Sequence, residues 1–415
     1  MRLLVVSQYF WPESFRVNEL VAQLVARGHT VTVLTGRPNY PSGDILAEYR
    51  EDPRRFARFE GASVLRVPLR PRGKGSLRLV LNYWSFVFWG CLLGPWLTRG
   101  QRYDAIFCFE TSPITSALPA LLLRRIKHAP LALWVLDLWP DTLSAVGVVR
   151  SERGLAMVGA LVSFIYRRCD LILAQSRAFF EPIQRWSGAP DKTRYFPQWA
   201  EGVFGEAVAA PPAPELAAHA HAFRLMFAGN LGDAQDFPSI LAAAAQLRHR
   251  TDIHWLIVGD GRALDQIRSD IDRLQLHDTV FLLGRYPLER MPAFFAGADA
   301  LLVSLKKEPI FAMTVPGKVQ SYLAAGRPIV AMLDGEGAHV VAESGAGLTC
   351  PAGDSIALSR CVENMAGLPA DERARMSAAG IAYAKRVFDR DQLLDTLEDW
   401  LAPGHTSADH ERRPD

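Results

Sequence analysis

The chain has 415 residues, enough for two or three domains of ordinary size. Hydrophobic residues make up 49% and charged residues 22%, which excludes wholesale disorder. With 46 basic against 44 acidic side chains the formal charge is only +2, so no nucleic-acid footprint covers the molecule and no nucleic-acid partner is expected.

The segment RLLVVSQ (2–8) reads as a first strand, because its apolar run is too short for a signal peptide. An amphipathic helix follows from Glu13 to Arg27, ending at Gly28, and then a strand at 29–36. Further strands are expected at 63–69, 103–110, 130–137 and 170–176, with helices near 77–98, 113–127, 151–168 and 177–187. Apolar strands alternating with helices imply a parallel sheet covered on both faces, so residues 1–200 form one Rossmann-like domain. The Ala/Pro/His run from Glu201 to Ala222 reads as a linker. The alternation restarts with strands at 223–230, 252–261, 279–285, 299–305, 327–333 and 346–350, giving a second domain over 223–385. A helix at 386–402 is expected to pack back on the first domain, and the polar tail 403–415 to be disordered. The fold class is α/β, two doubly wound domains facing a central cleft, with ligands at the carboxyl ends of the strands. Nucleotide-sugar transferases, sugar-nucleotide epimerases and some binding proteins share that architecture. The cysteines, Cys91, Cys108, Cys169, Cys350 and Cys361, form no Cys-x-x-Cys pair, and suit a reducing cytoplasm.

The 77–98 segment, LRLVLNYWSFVFWGCLLGPWLT, carries no charge from Leu79 to Thr98. As a helix it reaches roughly 30 Å, about the thickness of a bilayer core. No acid occurs from Gly61 to Tyr103, whereas Arg66, Arg70, Arg72, Lys74, Arg78, Arg99 and Arg102 do. A crossing would put the strands on either side of it on opposite sides of a membrane, and Gly94-Pro95 is expected to break the helix. The expectation is an interfacial helix, one face on the sheet and the other offering Trp, Phe and basic side chains to an anionic surface. Full burial is the rival.

Chemistry concentrates at strand ends. FAGNLGDAQDF (227–237) ends a strand with Gly229, Asn230 and Gly232, and Gln235 lies just beyond. IVGDGR supplies Gly259, Gly261 and Arg262, and LLGRY supplies Gly284 and Arg285. Glycine at such turns lets backbone N–H groups approach an anion. In SLKKEPIFAMTVPGKVQSYLAAGRPIVA (304–331) a loop carries Glu308, Val315-Pro316 precedes a helix, and Lys318 sits in its first turn with Gln320 beside it. A cation at a helix start is unfavourable unless an anion binds there, though an exposed surface Lys is the plain alternative. In the first half, Glu13, Ser14 and Arg16 follow the first strand, Glu110 ends another, and Asp137 and Trp139 follow the next. No Asp-x-Asp metal motif stands out.

The pattern E-P-x-F-x-x-T-V-P-x-K-x-Q-x-Y-L-A-x-G-x-P over 308–328, with QYFWPE (8–13), GHTVTVLTG (28–36) and LWVLDLWPD (133–141), resembles the retaining glycosyltransferases of family 4, of GT-B fold. The likeness is to the branch that builds bacterial O-antigen and colanic acid, which includes transferases assigned to N-acetylfucosamine. The resemblance implies a nucleotide-sugar donor, UDP-linked, carrying an N-acetylated hexosamine or deoxyhexosamine. It implies a polyprenyl-diphosphate-linked acceptor, retention of configuration, no metal or other cofactor, and a peripheral place on the inner face of the cytoplasmic membrane. Lys318 and Arg16 become the cations for the departing diphosphate, and Asp137 a catalytic carboxylate. The glycines 229, 232, 259, 261 and 284, with Asn230, Gln235, Arg262, Arg285, Glu308, Val315, Pro316 and Gln320, would hold the donor. Glu13, Ser14, Glu110 and Trp139 would meet the acceptor. The chain also departs from the family. Asn230 and Gln235 stand where an Arg and a Lys are usual, Ser321 falls near the second of two family glutamates, and Asp137 replaces a His. An epimerase or a non-catalytic membrane scaffold therefore stays open.

Overall fold

The computed structural model describes residues 1–73, 75–145, 151–204 and 210–402; the 403–415 tail, Lys74 and part of the expected linker lie outside the described residues. The chain divides into two compact units, Met1–Phe196 joined by the chain from Asp391 on, and Pro197–Arg390.

The first unit runs β1 (Arg2–Val6), α1 (Arg16–Ala26), β2 (Thr30–Gly36), α2 (Ala47–Glu51), β3 (Arg58–Phe59), β4 (Ala62–Val67), α3 (Ser76–Leu97), β5 (Ala105–Glu110), α4 (Ala117–Lys127), β6 (Leu131–Val135), α5 (Asp141–Ala145), α6 (Glu152–Arg168), β7 (Leu171–Ala174), α7 (Phe180–Ser187) and β8 (Thr193–Tyr195). Its eight strands lie in the order β3-β4-β2-β1-β5-β6-β7-β8, all parallel except β3. The central strands β5 and β6 are buried at every residue, as helices on both faces require.

The helix α3 connects β4 to β5, two strands of one sheet, so it does not cross a membrane. It also runs through Pro95 to Leu97, contrary to the expected break. Proline there removes one N–H bond within the last turn, where the ladder is ending anyway. The inward stripe of α3 carries Phe86 and Val87 together with small and polar residues. Gly90 meets Pro119 and Gly94 meets Leu34 and Leu123, contacts that a β-carbon would crowd, while Asn82 is fully buried. The outward stripe is large and apolar: Leu77, Trp84, Phe88, Leu92 and Trp96 are each at least half exposed.

The second unit runs β9 (Phe223–Ala228), α8 (Phe237–Gln246), β10 (Ile253–Val258), α9 (Leu264–Leu274), β11 (Val280–Gly284), α10 (Met291–Ala296), β12 (Ala300–Ser304), α11 (Pro309–Ala312), α12 (Gly317–Ala324), β13 (Ile329–Met332), α13 (Gly335–Ser344), β14 (Gly347–Cys350), α14 (Ser355–Gly367) and α15 (Ala370–Val387). Its parallel sheet has the order β11-β10-β9-β12-β13-β14. One core packs Phe294, Tyr322 and Leu323 on one face, and another packs Ile240, Trp255 and Val362 on the other. The described part of the Ala/Pro/His run is no free linker. The Phe204 ring stacks on Phe295 at 5.1 Å, Leu216 is buried, and the Ala213 N–H donates to the Ala293 carbonyl. Phe204, Leu216 and Ala213 are apolar, and their burial outweighs the compositional signal for a linker.

The last helix, α16 (Arg390–Leu401), is joined by its contacts to the first unit. Arg27 at the end of α1 pairs with Asp391 at 3.3 Å, with Glu398 at 3.5 Å, and with Asp395.

Candidate functional site

In the second unit the glycine turns are laced together. The Gly229 N–H donates to the Val258 carbonyl, Leu231 to Asp260, and Gly259 to Gly284. A β-carbon on Gly259 would lie 1.9 Å from the Gly229 oxygen, and one on Gly261 would lie 2.3 Å from the Leu231 oxygen. These two glycines therefore allow the β9 and β10 turns to touch, and the N–H groups of Gly229 and Gly259 are spent on the protein rather than held for a ligand. Gly229 itself, at φ 139°, leaves room for Lys318: a β-carbon there would meet Lys318 Cε at 2.7 Å. Asn230, Gly284, Arg262 and Arg285 are exposed along the same strand ends.

Lys318 reaches back from the first turn of α12 to the end of β9. Its Nζ donates to Gln235 Oε1 at 2.6 Å and lies 3.7 Å from the centre of the Phe227 ring. Burial pulls its pKa down to about 7. Among the described residues no carboxylate pairs with it, so Lys318 is held by a neutral amide and a ring face. Gln235 is fixed in turn through its carbonyl, which accepts from Ser304 Oγ at 2.6 Å. Gly229, Gln235 and Lys318 thus lie together at the end of β9.

Other expected donor residues sit elsewhere. Gln320 is buried, and its amide nitrogen donates to the carbonyls of Pro316 at 2.8 Å and Gly317 at 3.2 Å, so it fastens the start of α12 instead of facing a ligand. Val315 belongs to the core and Pro316 is the residue before α12. Gly232 is buried. Glu308 is exposed ahead of α11 and makes no capping hydrogen bond. Ser321 Oγ donates to Glu201 Oε2 at 2.5 Å, a contact across 120 positions that no local pattern announces.

In the first unit the burial of Glu13 removes it from acceptor contact. Its carboxylate accepts the N–H groups of Asn39 and Tyr40, both at 2.7 Å, and of Phe10 at 3.2 Å, tying the β1 and β2 ends together. Burial raises its pKa, against the pull of those N–H groups. Trp139 is also buried, its Nε1 donating to Ser112 Oγ at 3.2 Å. Arg16 begins α1 and pairs with Glu19 at 3.0 Å, while Ser14 is exposed. Glu110, the last residue of β5, is fully buried, and neither carboxylate oxygen has a hydrogen-bond partner among the described residues. Burial and then the neighbouring Asp137 hold it well above the usual carboxylate range.

Asp137 follows β6 and is half-buried; burial lifts its pKa to about 7. Tyr83 of α3 joins it. Burial raises the Tyr83 hydroxyl, and it feels Arg72, Ser112 and Asp137 around it. The helix with the apolar outer stripe therefore also reaches the Asp137 neighbourhood. A buried polar chain sets its start: Gln8 Nε2 donates to Asn82 Oδ1 at 2.7 Å, and Asn82 Nδ2 to Asn39 Oδ1 at 3.2 Å and to the Arg70 carbonyl at 2.5 Å. Arg66, counted in the basic stretch, points inward to the Gly36 carbonyl at 2.7 Å and to that of Trp11. Among the described residues no group of three or more His, Cys, Asp or Glu is placed to hold a metal ion.

Residues 14–199 match the family described as "Glycosyl transferase 4-like domain", and residues 222–367 match "Glycosyl transferases group 1". The chain belongs with the glycosyltransferases. Its two Rossmann-like parallel-sheet units are the GT-B fold. The "Probable glycosyltransferase WbjE" of Pseudomonas aeruginosa is 26% identical over 70% of this chain and 73% of its own. The "Putative colanic acid biosynthesis glycosyl transferase WcaI" of Escherichia coli K12 is 24% identical over 95% of this chain and 98% of its own. Among solved structures, Alr3699/HepE of Anabaena in complex with UDP has a TM-score of 0.69 at 16% identity, covering 97% of this chain and 99% of that one. At that identity the likeness is one of fold.

Proposed function

We propose that this glycosyltransferase moves a sugar from UDP to a polyprenyl-diphosphate-linked saccharide at the inner face of the bacterial cytoplasmic membrane, in surface polysaccharide synthesis. The observation that carries the reading is Lys318, a half-buried amino group at the first turn of α12 with no acid partner among the described residues. A bound diphosphate supplies the negative charge that the Gln235 amide and the Phe227 ring do not. The UDP held by the Anabaena protein supports a uridine donor, and the name of the E. coli relative supports surface polysaccharide as the product. The resemblance supports an N-acetylated hexosamine or a deoxyhexosamine as the sugar.

Transfer proceeds with retention. The bond from the anomeric carbon to the diphosphate oxygen breaks, and the acceptor oxygen bonds to that carbon from the same face. The acceptor proton passes to the leaving diphosphate, whose new charge Lys318 neutralises. Asp137, as a carboxylate, stabilises the positive charge that develops on the sugar. The outer stripe of α3 rests on the membrane. Just beyond α3, the Arg99 guanidinium lies 4.6 Å over the Trp96 ring, a pairing of charge and aromatic surface suited to a headgroup layer.

The test is incubation with a panel of UDP-sugars and polyprenyl-diphosphate sugars, reading lipid product by mass spectrometry and anomeric configuration by NMR. Lys318→Ala is expected to lower turnover by roughly 100-fold or more without loss of fold. Absence of both transfer and donor hydrolysis across the panel refutes the proposal, and release of a free epimer establishes an epimerase instead.

A further inference from the structure

Two cysteines with no Cys-x-x-Cys spacing meet inside the second unit. Cys350 ends β14, Cys361 lies on α14, and both belong to the core on one face of the sheet. Their thiols form a short chain. Cys350 donates to the Cys361 sulfur, and Cys361 Sγ donates to the Thr349 carbonyl at 3.7 Å. Both are free thiols; Cys350 is buried and Cys361 half-buried, so solvent reaches one sulfur and the other stands behind it. The hydrogen bond from Cys350 holds the Cys361 thiol below its usual range, against the effect of burial. The same bond, and then burial, hold Cys350 above it. Cys91, Cys108 and Cys169 have no such arrangement, and burial pushes each of them up. Reaction at sulfur follows thiolate character and access, which singles out Cys361.

We propose that Cys350 and Cys361 form a modification site for hydroperoxides, which oxidise the pair to a disulfide joining β14 to α14. The Cys361 thiolate attacks one peroxide oxygen. An S–O bond forms, the O–O bond breaks, and the departing hydroxide takes the proton that the thiol gave up, leaving as water. The Cys350 sulfur then attacks that of Cys361. The S–S bond forms, the S–O bond breaks, and hydroxide departs with the Cys350 proton as a second water. Each sulfur loses one electron and the peroxide gains both. A dithiol reductant returns the pair to thiols by exchange. The chain between the two sulfurs is already anchored in the reduced protein. The Ala352 N–H donates to Asp334 Oδ1 at 3.1 Å, and Asp354 Oδ1 caps α14 by accepting the Ala357 N–H at 2.9 Å. The same segment runs past the donor side of the unit, where a β-carbon on Gly353 would lie 3.9 Å from Asp236 Oδ2, on the residue after Gln235. The inference is independent of which sugar or acceptor the enzyme uses.

The test treats the reduced full chain, folded, with one equivalent of hydrogen peroxide, blocks the remaining thiols by alkylation, and reads intact mass and peptide maps. A loss of about 2 Da is expected, located to a Cys350–Cys361 cross-linked peptide and reversed by dithiothreitol. The pair is expected to react roughly 10-fold faster than Cys91, Cys108 or Cys169. In Cys350→Ser the second step has no sulfur to complete it, so Cys361 is expected to stop as a sulfenic acid that dimedone captures. Failure of dimedone to label Cys361 in the folded variant overturns the proposal. If that variant does not fold, the wild-type measurement decides. Sulfinic acid at Cys361 beside a free Cys350 overturns the proposal, and so does a disulfide that forms only after unfolding in urea. Oxidation of all five cysteines at one common rate overturns it as well, because the pair would then have no reactivity of its own.

Discussion

Asp137 and Lys318 are both drawn towards neutrality by burial, from opposite ends of the pH scale, and each arrives at about 7. On the proposed mechanism the carboxyl of Asp137 works ionised, so kcat at saturating donor is expected to rise with pH through about 7 and then level. Bound diphosphate keeps Lys318 protonated under those conditions, which confines its titration to kcat/KM for the donor, and that quantity falls as pH rises above 7. Asp137→Asn is expected to lower kcat by roughly 100-fold and remove the acidic limb; a pH profile recorded on both proteins reads this directly. A limb unchanged in the variant would assign it to another group. Lys318 and Gly229 were legible because each belongs to a local pattern, a helix start after a loop and a glycine at a strand end. The contacts of Glu201 with Ser321, and of Asn82 with Gln8 and Asn39, were not, since each joins residues far apart in sequence and depends on the finished packing.

At the scale of elements, α3 differs from an ordinary surface helix in leaving a row of large apolar side chains on its outer face. Gly90 and Gly94 let α3 come close to α4 and the sheet, Phe86 and Val87 are buried beside them, and Trp84, Phe88, Leu92 and Trp96 are left outside. Ordinary amphipathic reading fails on such a helix, since its two faces are both largely apolar. Replacing Trp84 and Phe88, which are 50% and 60% exposed, with Ser is expected to leave thermal stability unchanged. Affinity for anionic vesicles is expected to drop about tenfold for each side chain removed from the lipid, measured by co-sedimentation. Vesicle binding indifferent to both changes would place the bilayer contact elsewhere. Most strands were evident as apolar runs bounded by turn residues, whereas β3 and β8 have only two and three residues and carry no pattern to detect. The Ala/Pro/His run misled because composition reports flexibility of a free chain, and Leu216 and Phe204 find a core to enter.

For the molecule as a whole, alternation of strand and helix was enough to predict two doubly wound units, because a parallel sheet needs a crossover after each strand. The exact division was not, since it depends on which contacts the connecting segments choose. The first unit is discontinuous: α16 supplies Asp391, Asp395 and Glu398 to Arg27, and buries Leu394, Leu397 and Leu401. Removing residues 391–415 is expected to cost the first unit several kcal/mol, mostly from the three leucines, and to appear in calorimetry as an earlier unfolding transition assigned to that unit. A single unshifted transition would show that the helix is dispensable.

This arrangement also fixes an order of assembly during synthesis. The first unit cannot be completed until α16 leaves the ribosome, whereas the second unit has all its strands beforehand. At common elongation rates the interval between Phe196 and Asp391 lasts roughly 10–40 s, during which Arg27 waits for its acidic partners and the outer stripe of α3 is already in water. Slow translation or a premature stop near the end would therefore expose the incomplete first unit, and with it a sticky helix, to chaperones and to its neighbours on the polysome.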